Sequence, residues 1–229
     1  MFSNPDSGLF YANEGLELAK VISDKKGIGI GYRLLALNYH FMSNNDTAVL
    51  FIDKAYAVFE EVKYKDGLII CLMNKGIFQS KMDEPDKAIR NYNRVFELYQ
   101  EDSNYFGMAN CKVNIGALQS EESNYISAIK NYIEAEQFFN EENYIDGIAS
   151  CNLNIGNIYF HLEEYEKALE IQSRFPNHNF KNSIQSNGYL INQDWIDFIL
   201  ENNFSIKTGI LDLINKIETS FLNGKFKDT

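Results

Sequence analysis

The feature that most constrains this chain is a 40-residue period in its small residues. Gly27, Gly67, Gly107 and Gly147 follow one another at that interval, and nine positions later the same step carries Ala36, Gly76, Gly116 and Gly156. Ala48, Ala88, Ala128 and Ala168 keep it, as do Ala55, Val95 and Ala135. So do Cys71, Cys111 and Cys151, and Asn74, Asn114 and Asn154. Six columns in one register mean a repeat protein, in which each unit buries its apolar face by stacking on its neighbours. Apolar residues recur at helical spacing around the small ones, so each unit reads as two helices. In the third unit these run from Gly107 to about Ser120 and from Tyr125 to about Phe139. Two antiparallel helices approach closely only where no large side chain separates them, which is what the small columns supply. Tyr92 and Tyr132 on second helices, with Tyr39 and Tyr159 on first helices, are expected to fill the adjoining holes. Tyr64, Tyr105 and Tyr144 are placed in the turns before new units, packing between repeats.

The expected fold is therefore all-α, an α-solenoid of antiparallel two-helix units starting near residues 27, 67, 107 and 147, preceded by a lone helix over 6–23. In that lone helix Gly8 and Gly15 fall in two of the small-residue columns. The array is expected to fill residues 1–174, followed by a linker over 175–192, where Pro176 stops the fourth unit's second helix, and a tail over 193–229. The tail reads either as capping helices or as strand, polar loop and helix.

The stretch NLNIGNIYFHLEEYEKALE, Asn152 to Glu170, resembles the tetratricopeptide repeat: a small residue, an aromatic, then Tyr165, Ala168 and Leu169. The usual repeat has about 34 residues, so this is the longer variety. Kinesin light chains, cell-polarity adaptors, bacterial peptide-pheromone receptors and sensory modules of signalling proteins share that longer form. The resemblance implies a concave groove lined by first helices, with the residue two before the small Gly or Ala projecting into it. Asn74, Asn114 and Asn154 hold that position, and Leu34 replaces them in the first unit. An amide there either donates to and accepts from the backbone of an extended peptide, or bridges neighbouring helices. By the same carry-over Arg33, Met73, Val113 and Leu153 face the groove, with Leu37, Ile77, Ala117 and Asn157 one turn on. Such an apolar lining departs from the basic clamp of chaperone-binding relatives and suits an amphipathic helix or an apolar extended peptide. The tail weakly resembles the start of a von Willebrand factor A domain, whose metal-binding loop would fall on Glu201, Asn203 and Ser205; only the serine agrees.

Composition narrows the function. A net charge of −11 and a pI near 4.8, without a basic stripe, argue against a nucleic-acid partner. No apolar run reaches the roughly 18 residues that a membrane span needs. The N-terminus lacks the basic-then-apolar layout of a secretory signal, and three widely spaced cysteines read as free thiols in the cytoplasm. Stacked repeats hold equivalent residues about 10 Å apart, so the cysteine column cannot converge on one zinc ion. His40, His161 and His178 show no metal or catalytic spacing, and no nucleophile elbow or phosphate-cradling loop occurs. Glu121–Glu122, Glu141–Glu142 and Glu163–Glu164 are expected at turns, serving helix dipoles. The reading is a non-enzymatic scaffold for a protein or peptide ligand, without cofactor or metal. Its alternative is a sensory segment of a larger signalling protein, such as a kinase, cyclase, peptide-pheromone receptor or von Willebrand-type protein.

Overall fold

The computed structural model describes residues 5–172, and within them every regular element is an α-helix. In chain order these are α1 (Pro5–Val21), α2 (Lys25–Phe41), α3 (Asn45–Glu61), α4 (Lys65–Lys81), α5 (Pro85–Glu101), α6 (Tyr105–Glu121), α7 (Tyr125–Glu141), α8 (Ile145–His161) and α9 (Tyr165–Gln172). The linker, the tail and the positions of the von Willebrand-type loop lie outside the described residues, as do His178 and Pro176. The described helices fall in two compact units, α1–α7 and α8–α9, divided between Asn143 and Tyr144. In the first, each helix packs antiparallel on the next, and α2 also meets α4; in the second, α8 packs on α9. This is the α-solenoid of tetratricopeptide-like two-helix repeats.

A shorter cadence underlies the 40-residue period. Helices α1 to α8 each have 17 residues. One turn geometry ends them: Ser23, Ser43, Lys63, Asp83, Ser103, Ser123, Asn143 and Glu163 all have φ between 51 and 60°. After α2, Ser43 N–H donates to His40 C=O at 2.8 Å and Asn44 N–H reaches back to Tyr39 C=O at 2.9 Å. That pair of bonds satisfies carbonyls the helix end would otherwise leave orphaned. Asn44 then starts the next helix, its side chain accepting from Thr47 N–H at 3.2 Å; Asp24 and Asn104 do the same for Gly27 and Gly107. One residue thus closes one helix and opens the next, which keeps the link short.

The small columns are packing devices. Phe59 on α3 is 1% exposed and lies between Gly29 of α2 and Gly67 of α4; a Cβ on Gly67 would come within 2.5 Å of Phe59 Cγ. Tyr92 covers Gly76 and Tyr132 covers Gly116, where an added Cβ would meet the rings at 2.6 and 3.0 Å. Tyr39 and Tyr64 join the core around Phe59, Ala55 and Phe78. Three expectations need correction. Tyr105 is the first residue of α6 and not part of the turn, and it stacks on Phe138 at 6.2 Å. Gly15 lies on an exposed face where an added Cβ would meet nothing within 4 Å. Glu121 and Glu141 end α6 and α7, where the helix dipole opposes a negative charge; only Glu164 precedes a helix start.

Candidate functional site

The first helices of the repeats carry all the residues singled out for ligand contact. In the first compact unit these are Arg33 on α2, Met73 and Asn74 on α4, and Val113 and Asn114 on α6; in the second, Leu153, Asn154 and Asn157 lie on α8. All eight are half-buried. Met73 packs against the core cluster of Ala88, Tyr92, Ile115 and Leu118.

Asn74 has a polar vacancy. Its Nδ2 is shielded from solvent and has no hydrogen-bond partner. A buried donor left unpaired costs about 1–3 kcal/mol. Other amides in the array behave differently. Asn91 Nδ2 donates to Gln79 Oε1 at 2.6 Å and Asn131 Nδ2 to Gln119 Oε1 at 2.8 Å, latching the two helices of a unit together. Bridging between the two helices of a unit is thus seen at this second amide column. Its signal was the recurrence of both Gln and Asn at the 40-residue step.

Around Asn74 the face is apolar. Ile30 and Leu34 on α2, with Ile70 and Ile77 on α4, are 38 to 40% exposed, and Phe41 ends the row on α2. Ile30 and Ile70 occupy one column, and Leu37 and Ile77 another, so neighbouring helices present matching aliphatic rows. Ile30 and Ile70 escaped the sequence reading, although they are spaced by the same interval.

Away from this face, repeat equivalence breaks at Lys75. Its column otherwise holds Leu35, Ile115 and Ile155, all buried. Lys75 Nζ instead pairs with Asp53 Oδ1 at 2.6 Å. A cleft of about 180 Å³ lined by Ile52, Asp53, Tyr56, Cys71, Leu72 and Lys75 results. Burial pushes the Cys71 and Cys111 thiols up to about 12, with the Arg33 charge opposing at Cys71 and the Lys112 charge at Cys111. Thiols so held are packing groups, unfit as nucleophiles or metal ligands at neutral pH. Nδ1 of His40 lies 2.6 Å from Asn45 Oδ1 and its ring stacks on Phe78, a contact that joins α2, α3 and α4. Among the described residues no cluster of three or more His, Cys, Asp or Glu is placed to hold a metal ion, and no helix is long and apolar enough to cross a membrane.

Comparison with known proteins agrees with this architecture. The family model described as soluble NSF attachment protein, SNAP, matches residues 36–202. Curated proteins give no significant match. Among solved structures the chain is similar to BtubC (BKLC) from P. vanneervenii, with a TM-score of 0.70 and 16% identity over 99% of this chain and 95% of that one. It is also similar to aspartyl phosphate phosphatase F from Bacillus subtilis, with a TM-score of 0.68 and 18% identity over 93% of this chain and 55% of that one. A Rap protein complexed with Competence and Sporulation Factor gives a TM-score of 0.60 and 14% identity over 92% and 59%. Likeness at these identities carries the fold and not the activity.

Proposed function

The chain belongs to the soluble NSF attachment protein family, and from that membership we propose that it is a protein-interaction scaffold that holds a partner on the first-helix faces of its repeats. The observation that carries the reading is the pair of aliphatic rows, Ile30 and Leu34 beside Ile70 and Ile77, left part-exposed on adjacent helices. A stable repeat array has no need of large apolar side chains in water, whereas a binding face does. Asn74 lies at its centre, with Asn114 on the next first helix; the Asn74 donor is buried and meets a ligand carbonyl only once the side chain turns outward. Arg33 and Val113 flank them; in the second unit Leu153, Asn154 and Asn157 share the corresponding face of α8.

The chemistry favours an apolar segment, either an amphipathic helix laid across the rows or an extended peptide whose backbone meets the amides. The family's name is that of an attachment protein, and a Rap protein of the same fold is known in complex with a factor. Both are in keeping with this reading. Catalysis, cofactor, nucleic acid and membrane play no part in it. Buried thiols at Cys71, Cys111 and Cys151 suit a reducing, cytoplasmic setting. The test is affinity capture from lysate with the full chain beside its Ile70→Asp/Ile77→Asp variant. Proteins retained by the first and lost from the second support the reading. Equal retention by both overturns it.

A further inference from the structure

Helix α1 is apolar on two sides. Ala12, Leu16 and Ala19 face α2 and are buried, while Tyr11, Leu18 and, just past the helix end, Ile22 form a second stripe about a quarter turn away, with Gly15 between them. Phe10 and Val21 border that stripe, and these five large side chains are 58 to 81% exposed. In α3, α5 and α7 the same columns are covered by the first helix of the unit. There Phe51 stacks on Tyr39 at 5.3 Å, Asn91 and Asn131 bond Gln79 and Gln119, and Ala55, Val95 and Ala135 are 0% exposed. The stripe on α1 therefore has the composition of a helix–helix interface and stands in water.

We propose that this face pairs with the same face of a second copy, making an isologous dimer through two antiparallel α1 helices. The stripe is self-complementary in volume. Read antiparallel, Leu18 of one copy enters the gap over Gly15 of the other, where nothing lies within 4 Å of an added Cβ, and Tyr11 meets Ile22. A two-fold axis makes each contact twice, so four apolar contacts come from one row. Small residues at a crossing let helix backbones approach to the 8–10 Å of a packed pair. The area also fits. The five side chains expose about 500 Å² per copy, given 150–250 Å² for a whole aromatic side chain, so a dimer removes at most about 1,000 Å². An interface at the small end of the biological range buries that much.

The experiment is light scattering after gel filtration of the full chain, from about 1 to 100 μM, which spans dissociation constants in the micromolar range. The expected mass doubles from 26.4 kDa as concentration rises. Leu18→Arg, on an exposed site, should keep the helical circular dichroism and shift association upward at least tenfold in concentration. Gly15→Gln, also exposed, should do the same by filling the gap, whereas Ile133→Arg on the exposed side of α7 should leave the dimer intact. A Gly15→Cys/Leu18→Cys variant should cross-link to a dimer under mild oxidation. A monomer throughout the range overturns the proposal. So does a dimer that survives both Leu18→Arg and Gly15→Gln, since it would be built on another surface.

Discussion

Replacing Gly67 with alanine gives the sharpest test of how the 40-residue columns hold the array together. In a helix interior this change is ordinarily favourable by about 0.8–1.0 kcal/mol, because glycine is the poorer helix former. Here the new Cβ would lie 2.5 Å from Phe59 Cγ and 2.6 Å from Tyr64 Cδ1. Carbon atoms rest at about 3.5–4.0 Å, so Phe59 must retreat by roughly 1 Å. It has nowhere to go: the ring is 1% exposed and its other side lies against Gly29. Overpacking of a filled core costs about 1–3 kcal/mol. The repulsion therefore cancels or outweighs the propensity gain, and the net effect is a loss of about 0–2 kcal/mol. Urea unfolding followed by circular dichroism reads this as a lower midpoint at unchanged slope. Gly15→Ala, made at low micromolar concentration, is the matched control; with open space around it, it should stabilise by about 0.5–1 kcal/mol. In a Phe59→Leu background the Gly67→Ala penalty should shrink by at least 1 kcal/mol, because the two sites share one contact. A Gly67→Ala that stabilises the parent chain as much as Gly15→Ala does would refute the argument that the glycine column exists to admit Phe59.

The remaining expectations follow from other features. Lys63→Gly relieves a left-handed backbone with φ 52° and should raise stability by about 0.5–1 kcal/mol, seen as a higher thermal midpoint. Lys75→Leu restores the apolar column of Leu35, Ile115 and Ile155 and fills the cleft of about 180 Å³. Asp53, half-exposed, can hydrate once its partner is gone, so the change should be neutral or stabilising by up to about 1 kcal/mol in urea unfolding. Cys71 and Cys111 should resist a thiol-specific alkylating reagent at pH 8 until denaturant is added, because burial raises both to about 12. Tyr92 is raised to about 12 from its ordinary 10.0 by the same cause. The unfolded chain therefore releases these three protons first: stability is full below about pH 9 and declines as pH climbs from there toward 12, and a urea midpoint at pH 10.5 should fall below that at pH 8.

The order of small residues along the chain was enough to establish a repeat, its period, its all-helical class and the antiparallel pairing of helices. This was possible because close helix packing admits only small side chains at a crossing, and a stacked array must repeat that demand in every unit. Tyr92 over Gly76 and Tyr132 over Gly116 were legible for the same reason. What a period cannot convey is which side of a helix a neighbour covers. Gly15 shares a column with Ala55, Val95 and Ala135, yet it is exposed while they are buried, because no described helix lies over it. Lys75 stands in a core column, and only the reach of Asp53 on α3 shows how its charge is met. Two amide columns look alike in sequence. The tertiary structure separates them, placing Asn91 and Asn131 against glutamines and leaving Asn74 with an unpaired donor. Periodicity reports equivalence between units; burial and pairing depend on what each unit has beside it, and that is decided only when the helices are packed.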